Sequence, residues 1–337
     1  MGNAGYVHWA LQSAKGTPNT ADGQRIFCTD TNFAPTDLMK ARRPHIGGHA
    51  FVGDVYKSGT GVAGTFGLEV PGENIGYLLY FLSGKVTKTA DTPVSGLAEN
   101  EFTMDYTDEF SLPWVTFIES KDDVLLTQGS DCVVVGGRFV WTAGDSLTAM
   151  FTASGITPAW PAAEPTTPDD DDSEIMVCST ADAALEIEST SFPAQQVVVD
   201  LVNVVPGLQQ EMQIGSPYRR DVTKLARQCS VTMRSWVDAA FWKDVYFGGS
   251  TTWSAAPYKA KFDITGASSS DIPTYAYPYS LQFVSDEVGF GPCNAPAAAA
   301  QITMVQTQGT CTIPSSGDEF SFLLTTLGTL TFDTVPS

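Results

Sequence analysis

The sequence predicts a mainly-β protein built as two tandem sheet domains, each with one short flanking helix. Three observations predict it. Apolar and polar residues alternate in many separate stretches, the pattern of sheets with one buried face. Only two segments repeat apolar residues at helical spacing. A Pro- and Asp-rich stretch divides the 337 residues into halves of similar size, each long enough to bury its own core.

In chain order, the first distinctive segment is basic and glycine-rich, from Lys40 to Gly64. It contains "KARRPH" and "HIGGH" and reads as a loop. Phe66, Leu68 and Val70 then alternate with Thr65, Gly67 and Glu69, which marks a strand. "PGENIGYLLYFLSGK" follows. Ile75, Leu78, Leu79 and Leu82 fall at i, i+3, i+4 and i+7, so they form one stripe of a helix. Pro71 and Gly72 precede it, and Gly84 is placed to cap its end. The helix is too short to span a bilayer, so its stripe is expected to pack on the sheets as a clip. Further on, "GGRFVWTA" and "SLTAMFTA" read as a hairpin with Gly144–Asp145 at the bend.

The break is "TPAWPAAEPTTPDDDDSE". Its prolines stiffen the chain and Asp169–Asp172 hold it in water. The spaced ligands and glycine of a calcium loop are missing. The expected organisation is a first domain over 1–156, a linker over 157–173 and a second domain over 174–337.

In the second half Val231 and Met233 alternate with polar neighbours, and so do residues of "QITMV" (Gln301–Val305) and "TLTF" (Thr329–Phe332). "VDAAFWKDVYFGG" sets Val237, Phe241 and Val245 four apart, a second helix closed by Gly248 and Gly249. Phe66 and Val231 are 165 residues apart, as are Leu68 and Met233; Ile75 and Phe241 are 166 apart, as are Leu79 and Val245. Strand, helix and glycine thus recur once per half, the spacing of a structural duplication.

Charge narrows the function. The chain carries 38 acidic and 18 basic residues, a formal net charge of −20. Gripping nucleic acid by phosphate neutralisation takes clustered Lys and Arg, which this balance opposes. Basic residues cluster only at Lys40–His45 and at Arg219, Arg220, Lys224 and Arg227. These clusters read either as scattered surface charge or as a contact with an acidic surface on a neighbouring subunit, with Arg219, Arg220, Lys224 and Arg227 as the candidates for that contact. The opening residues lack the basic and apolar regions of a secretion signal, and no apolar run is long enough for a membrane anchor.

No catalytic, cofactor or metal site is expected. The cysteines, Cys28, Cys132, Cys178, Cys229, Cys293 and Cys311, form no CxxC pair and read as free thiols. "GTGVAG" (Gly59–Gly64) matches a dinucleotide fingerprint in letters only, because a strand follows where a helix is needed; it reads as a flexible loop. "GDSLTA" (Gly144–Ala149) resembles an esterase nucleophile block, but His8, His45 and His49 all precede Ser146, so the downstream base is missing. His45 and His49 are separated by Gly47 and Gly48, which oppose the helix a metal pair would need.

The run "RRPHIGGHAFVGDVYKSGTGVAGTFGLEVPGENIGYLLYFLSG" (Arg42–Gly84) resembles the tail tube proteins of long-tailed, non-contractile bacteriophages. In that family an Arg- and Gly-containing loop leads to a strand and then to a helix of the type ExIGxLLxxxLG. "QQVVVDLVNVVPGLQQEMQIGSPYRRDVTKLARQCSVTMRSW" (Gln195–Trp236) and "AQITMVQTQGTCTIP" (Ala300–Pro314) are similar to its later segments. The second helix lacks the Ile-Gly and Leu-Leu pairs of the first.

The resemblance implies two tandem tail-tube-like β-sandwich domains and a virion structural role. It implies a chain that partners itself in trimeric, pseudo-hexameric rings that stack into a tube. It also implies tail tip, tail terminator and tape measure proteins as partners, with DNA passing through the lumen unbound. The virion tail, assembled in the host cytoplasm, is the implied location. Arg42, Arg43, His45, Gly47, Gly48, Gly59 and Gly61 are then candidates for a loop between rings. Ile75, Leu78, Leu79, Leu82, Phe241 and Val245 are candidates for the buried helix faces. The competing readings are a β-sandwich binding module, such as an adhesin or sugar-binding protein, and a capsid or decoration protein.

Overall fold

The computed structural model describes residues 6–20, 23–41, 55–104, 112–121, 125–160, 169–170, 175–178, 183–236, 241, 245, 257–291, 304–312 and 320–327. The protein is mainly β. The strands preceding the proline-rich stretch are β1 (Tyr6–Leu11), β2 (Gln24–Phe27), β3 (Asp30–Ala41), β4 (Val55–Glu69), β5 (Thr87–Ala90), β6 (Leu97–Thr103), β7 (Val115–Lys121), β8 (Leu125–Thr142) and β9 (Thr148–Gly155). β10 (Thr157–Ala159) and β11 (Asp169–Asp170) lie within that stretch. Beyond it come β12 (Met176–Val177), β13 (Ala184–Ile187), β14 (Thr190–Ser191), β15 (Ala194–Val204), β16 (Ala226–Trp236), β17 (Tyr258–Asp271), β18 (Pro278–Phe290), β19 (Met304–Cys311) and β20 (Phe320–Leu327). Helix α1 spans Ile75–Ser83, between β4 and β5.

β8 organises the molecule. Its first half pairs with β7 and β10, which join β1 and β2 in a small sheet. Its second half pairs with β9 on one edge and β15 on the other, inside the large sheet. The strand changes sheets around Asp131, whose φ is 53°, and its register with β9 shifts between Val134 and Gly136. Bends of this kind let one strand form a corner between packed sheets.

The large sheet runs from β3 through β4, β9, β8, β15, β16 and β19 to β18 and β17. β13 and β12 lie on β17, and β20, β6 and β5 branch from β18. The predicted hairpin at Gly144 is β8–β9, with Val140 opposite Thr148.

The two segments on either side of residues 157–173 share both sheet and core. β15 pairs with β8 from Gln196–Thr142 to Val202–Gly136, and β20 pairs with β6 from Ser321–Thr103 to Leu327–Leu97. A run of aromatic contacts crosses the molecule through Phe117, Phe66, Phe151, Phe139, Phe322, Phe283, Phe262, Phe290 and Phe241. The Phe139 and Phe322 centroids, one from each segment, stand 4.7 Å apart. Each ring removes a large apolar area from water, so this run is a main source of stability. Parts of the expected linker take part in sheets: β10 pairs with β8, and Asp169–Asp170 run parallel to Gln24–Arg25.

Helix α1 is buried on nearly every side. Ile75, Leu78 and Leu79 are 0% exposed, and Tyr80, Phe81 and Leu82 are buried with them. A helix apolar on all faces belongs inside a core. The predicted stripe is therefore one part of a larger buried surface. The Tyr77 and Phe81 rings meet Trp9 of β1 at 4.7 and 5.0 Å. Gly84 ends the helix with φ 80°, the left-handed conformation glycine adopts without a Cβ penalty, and its N–H donates to the Tyr80 carbonyl at 2.7 Å. In the second half Phe241 and Val245 are helical and buried, with Phe241 against Phe192, Tyr258 and Phe290. Val237 and Thr329–Phe332 lie outside the described residues.

Candidate functional site

The most distinctive surface feature is the β3–β4 hairpin. β3 pairs with β4 continuously from Asp30–Gly67 to Ala41–Val55, with one register shift at Leu38 and Met39. On its other edge β4 pairs with β9 only from Val62 to Glu69. The part of the hairpin beyond Gly59 therefore leaves the sheet as an arm. Between arm and sheet, Thr60 exchanges backbone bonds with the 217–219 segment: its N–H donates to Pro217 at 2.8 Å, and Arg219 N–H donates to Thr60 at 3.2 Å.

Lys40–Ala41 and Val55–Gly64, read from the sequence as loop, are strand in this arm. Ser58 Oγ donates to the Leu38 carbonyl at 3.0 Å, and Lys57 meets Asp37 at 2.7 Å. The Lys57 ammonium and the Thr60 hydroxyl hold the Asp37 carboxyl below its usual range. Met39, Val55 and Tyr56 are 60%, 53% and 52% exposed, three large apolar side chains near the arm's far end. Among the described residues β3 has β4 as its one strand neighbour, and its Phe33 N–H donates to Glu119 Oε1 at 3.3 Å.

Gly59 and Gly61 lie in this arm's root, and the structure corrects their reading as part of a flexible loop. Both are buried in β4, as is Val62, and the whole of Gly59–Gly64 is paired strand. The glycines serve close approach. A Cβ at Gly59 would stand 2.3 Å from the Met212 methyl, and one at Gly64 would stand 2.0 Å from the Asn32 carbonyl oxygen. Arg42, Arg43, His45, Gly47 and Gly48 lie outside the described residues.

The basic cluster is also corrected, because three of its four members are committed within the chain. Arg219 is 5% exposed. Its guanidinium pairs with Glu211 and donates to Ser154 Oγ at 2.6 Å and to the Pro206 carbonyl at 2.9 Å. Glu211 in turn accepts from the Thr223 N–H at 2.7 Å. Lys224 donates to the Leu112 carbonyl at 3.3 Å and lies over the Trp114 ring, and burial pushes its pKa down. Arg227 donates through Nε to Asn203 Oδ1 at 3.1 Å, and its terminal nitrogen donates to the Ser83 carbonyl. Arg220 alone of the four is exposed.

Asn203 is the partner that sequence reasoning missed. It is 4% exposed, and its amide donates to the Leu82 and Val134 carbonyls at 3.0 and 3.2 Å. Its one signal in the sequence is a polar residue at an inward position of the alternating run "VVVDLVNVV".

Ser146, of the esterase-like block, donates to Glu69 Oε1 at 2.7 Å at the foot of the β8–β9 hairpin. Among the described residues no group of three His, Cys, Asp or Glu is placed to hold a metal ion, and no helix is long and apolar enough to cross a membrane. What the fold and this surface define is an antiparallel β protein with an open-edged arm. Comparison with protein-family models and with curated proteins finds no match to this chain.

Proposed function

We propose that this chain is a virion structural protein that polymerises as stacked rings into the tail tube of a long-tailed, non-contractile bacteriophage. The observation that carries the reading is the arm. It offers a β3 edge with no second strand among the described residues, and exposed Met39, Val55 and Tyr56 beyond the last β4–β9 pair. Strand pairing from a second copy satisfies such an edge. A contact between unlike surfaces, repeated from copy to copy, closes into rings or continues as a filament. The buried helix with its Ile-Gly-x-Leu-Leu pattern supports the same reading.

On this reading three copies form a ring of pseudo-sixfold symmetry. The tail tip, tail terminator and tape measure proteins are its assembly partners. DNA passes through the lumen without specific binding, which a net charge of −20 favours over retention. The chain catalyses nothing and assembles in the host cytoplasm.

Negative-stain microscopy of the purified protein tests the proposal. Tubes of stacked rings with a central hole are the expected result. A monodisperse monomer at high concentration overturns it.

A further inference from the structure

Cys229 and Cys311 stand on neighbouring antiparallel strands, β16 and β19. The register runs to Ser230–Thr310, and one further step places the two cysteines opposite each other. Their Sγ atoms lie 3.1 Å apart. Directly opposed residues in an antiparallel ladder have Cα atoms roughly 4.5 or 5.5 Å apart, depending on the type of pair, and both spacings fall within the range a disulfide spans. Cys229 is buried and Cys311 is half-buried.

We propose that Cys229 and Cys311 are an oxidative modification site, which hydrogen peroxide converts into an intrachain disulfide joining β16 to β19. The Cys311 thiolate attacks one peroxide oxygen. The O–O bond breaks, and the departing hydroxide takes up a proton and leaves as water. Cys311 is then a sulfenic acid. The Cys229 sulfur attacks the Cys311 sulfur, the S–S bond forms, and the sulfenic oxygen departs as a second water with the Cys229 proton. Two thiols lose two electrons and two protons, and one peroxide becomes two waters.

The position gives the bond a mechanical consequence. Cys311 also pairs with Val288 of β18, at the end of β19 that lies between β16 and β18. A bridge there closes a loop between residues 82 apart in sequence and fixes that junction. Burial raises the described thiols other than Cys311, Cys229 among them, so the selectivity rests on the 3.1 Å approach of the two sulfurs. Burial pushes Cys28 up to about 12 and Cys178 up to about 11, and it raises Cys132 further. A thiol held in its protonated form reacts slowly.

The experiment treats the full-length reduced protein with a small excess of hydrogen peroxide, then uses intact mass measurement and non-reducing peptide mapping. The expected result is a loss of two hydrogen masses, with the Cys229 and Cys311 peptides crosslinked. Reductant reverses the loss, and Cys311→Ser abolishes it. Thermal unfolding is expected to shift upward by several degrees on oxidation and to return on reduction. An unchanged mass, added oxygen without a bridge, a bridge between other cysteines or between chains, or an unchanged or lower unfolding midpoint overturns the proposal. Peptide mapping of the unsubstituted protein decides the pairing even if the serine variant fails to fold.

Discussion

The guanidinium of Arg227 donates to the carbonyl oxygen of Ser83, the last residue of helix α1. Asn203 holds the neighbouring Leu82 carbonyl and accepts from Arg227 Nε. A helix leaves its final carbonyls without intrahelical partners, and here two residues from the later half of the chain supply them. Arg227 also places positive charge at the negative end of the helix dipole. The helix from one segment is thereby fastened to the β15–β16 pair of the other.

Removing either fastening should destabilise the fold. Arg227→Ala removes the donor to the Ser83 carbonyl and Asn203→Ala the donor to the Leu82 and Val134 carbonyls, and each should cost about 1–3 kcal/mol. Urea unfolding of each single variant and of the double variant measures this. The double should cost less than the sum, because the two side chains share one network.

Leu79 tests how deeply the helix is seated. It is 0% exposed. Leu79→Ala should cost about 2–5 kcal/mol by the lost transfer energy and the cavity left behind. Leu79→Asp should cost more, because it also buries a carboxyl in apolar surroundings. An unchanged unfolding midpoint for Leu79→Asp would show that the helix is not seated in the core.

Arg219 and Glu211 form a buried pair, their side chains 4% and 7% exposed. Arg219→Ala should cost about 3–5 kcal/mol, since it strands a buried carboxylate. Arg219→Lys should recover only part of this, because one ammonium cannot reproduce the planar fork that serves Glu211, Ser154 and Pro206 together. Denaturant midpoints for the two variants provide the comparison.

Two half-buried thiols, Cys178 and Cys28, predict weakening in alkali. Burial raises Cys178 from 9.0 to about 11, and Cys28 from 9.0 to about 12. Across those windows the folded protein keeps protons that the unfolded chain releases. Stability is therefore full below pH 9.0 and falls as pH rises toward 11 and then 12. Cys178→Ala should flatten the fall of the urea midpoint above pH 9.0. An identical slope in the variant would remove Cys178 from the account.

Local spacing made several elements legible. Phe66 and Leu68 are buried inward residues of β4, and Val231 and Met233 of β16, as period-two alternation requires. The i, i+3, i+4, i+7 stripe located α1, and Gly84 its end, because both signals act within one or two helical turns. Glycine content misled at Gly59–Gly64. Glycine marks flexibility when nothing is near it, and here Met212, Leu208 and Asn32 crowd its Cα. The basic cluster misled for a related reason: charge in a sequence does not reveal whether its partner is a second molecule or a carbonyl of the same chain.

The sequence by itself determined the secondary structure class, the position of α1 and the inward residues of β4 and β16. These follow from backbone periodicity and the cost of exposing apolar side chains, which neighbouring residues settle together. Only the tertiary structure decided that β15 joins β8, that β20 joins β6, and that Asn203 and Arg227 close the helix. Any strand with an inward apolar face satisfies the same local pattern. Partner choice rests on packing and on buried polar groups finding donors, and those conditions exist only once distant segments have met.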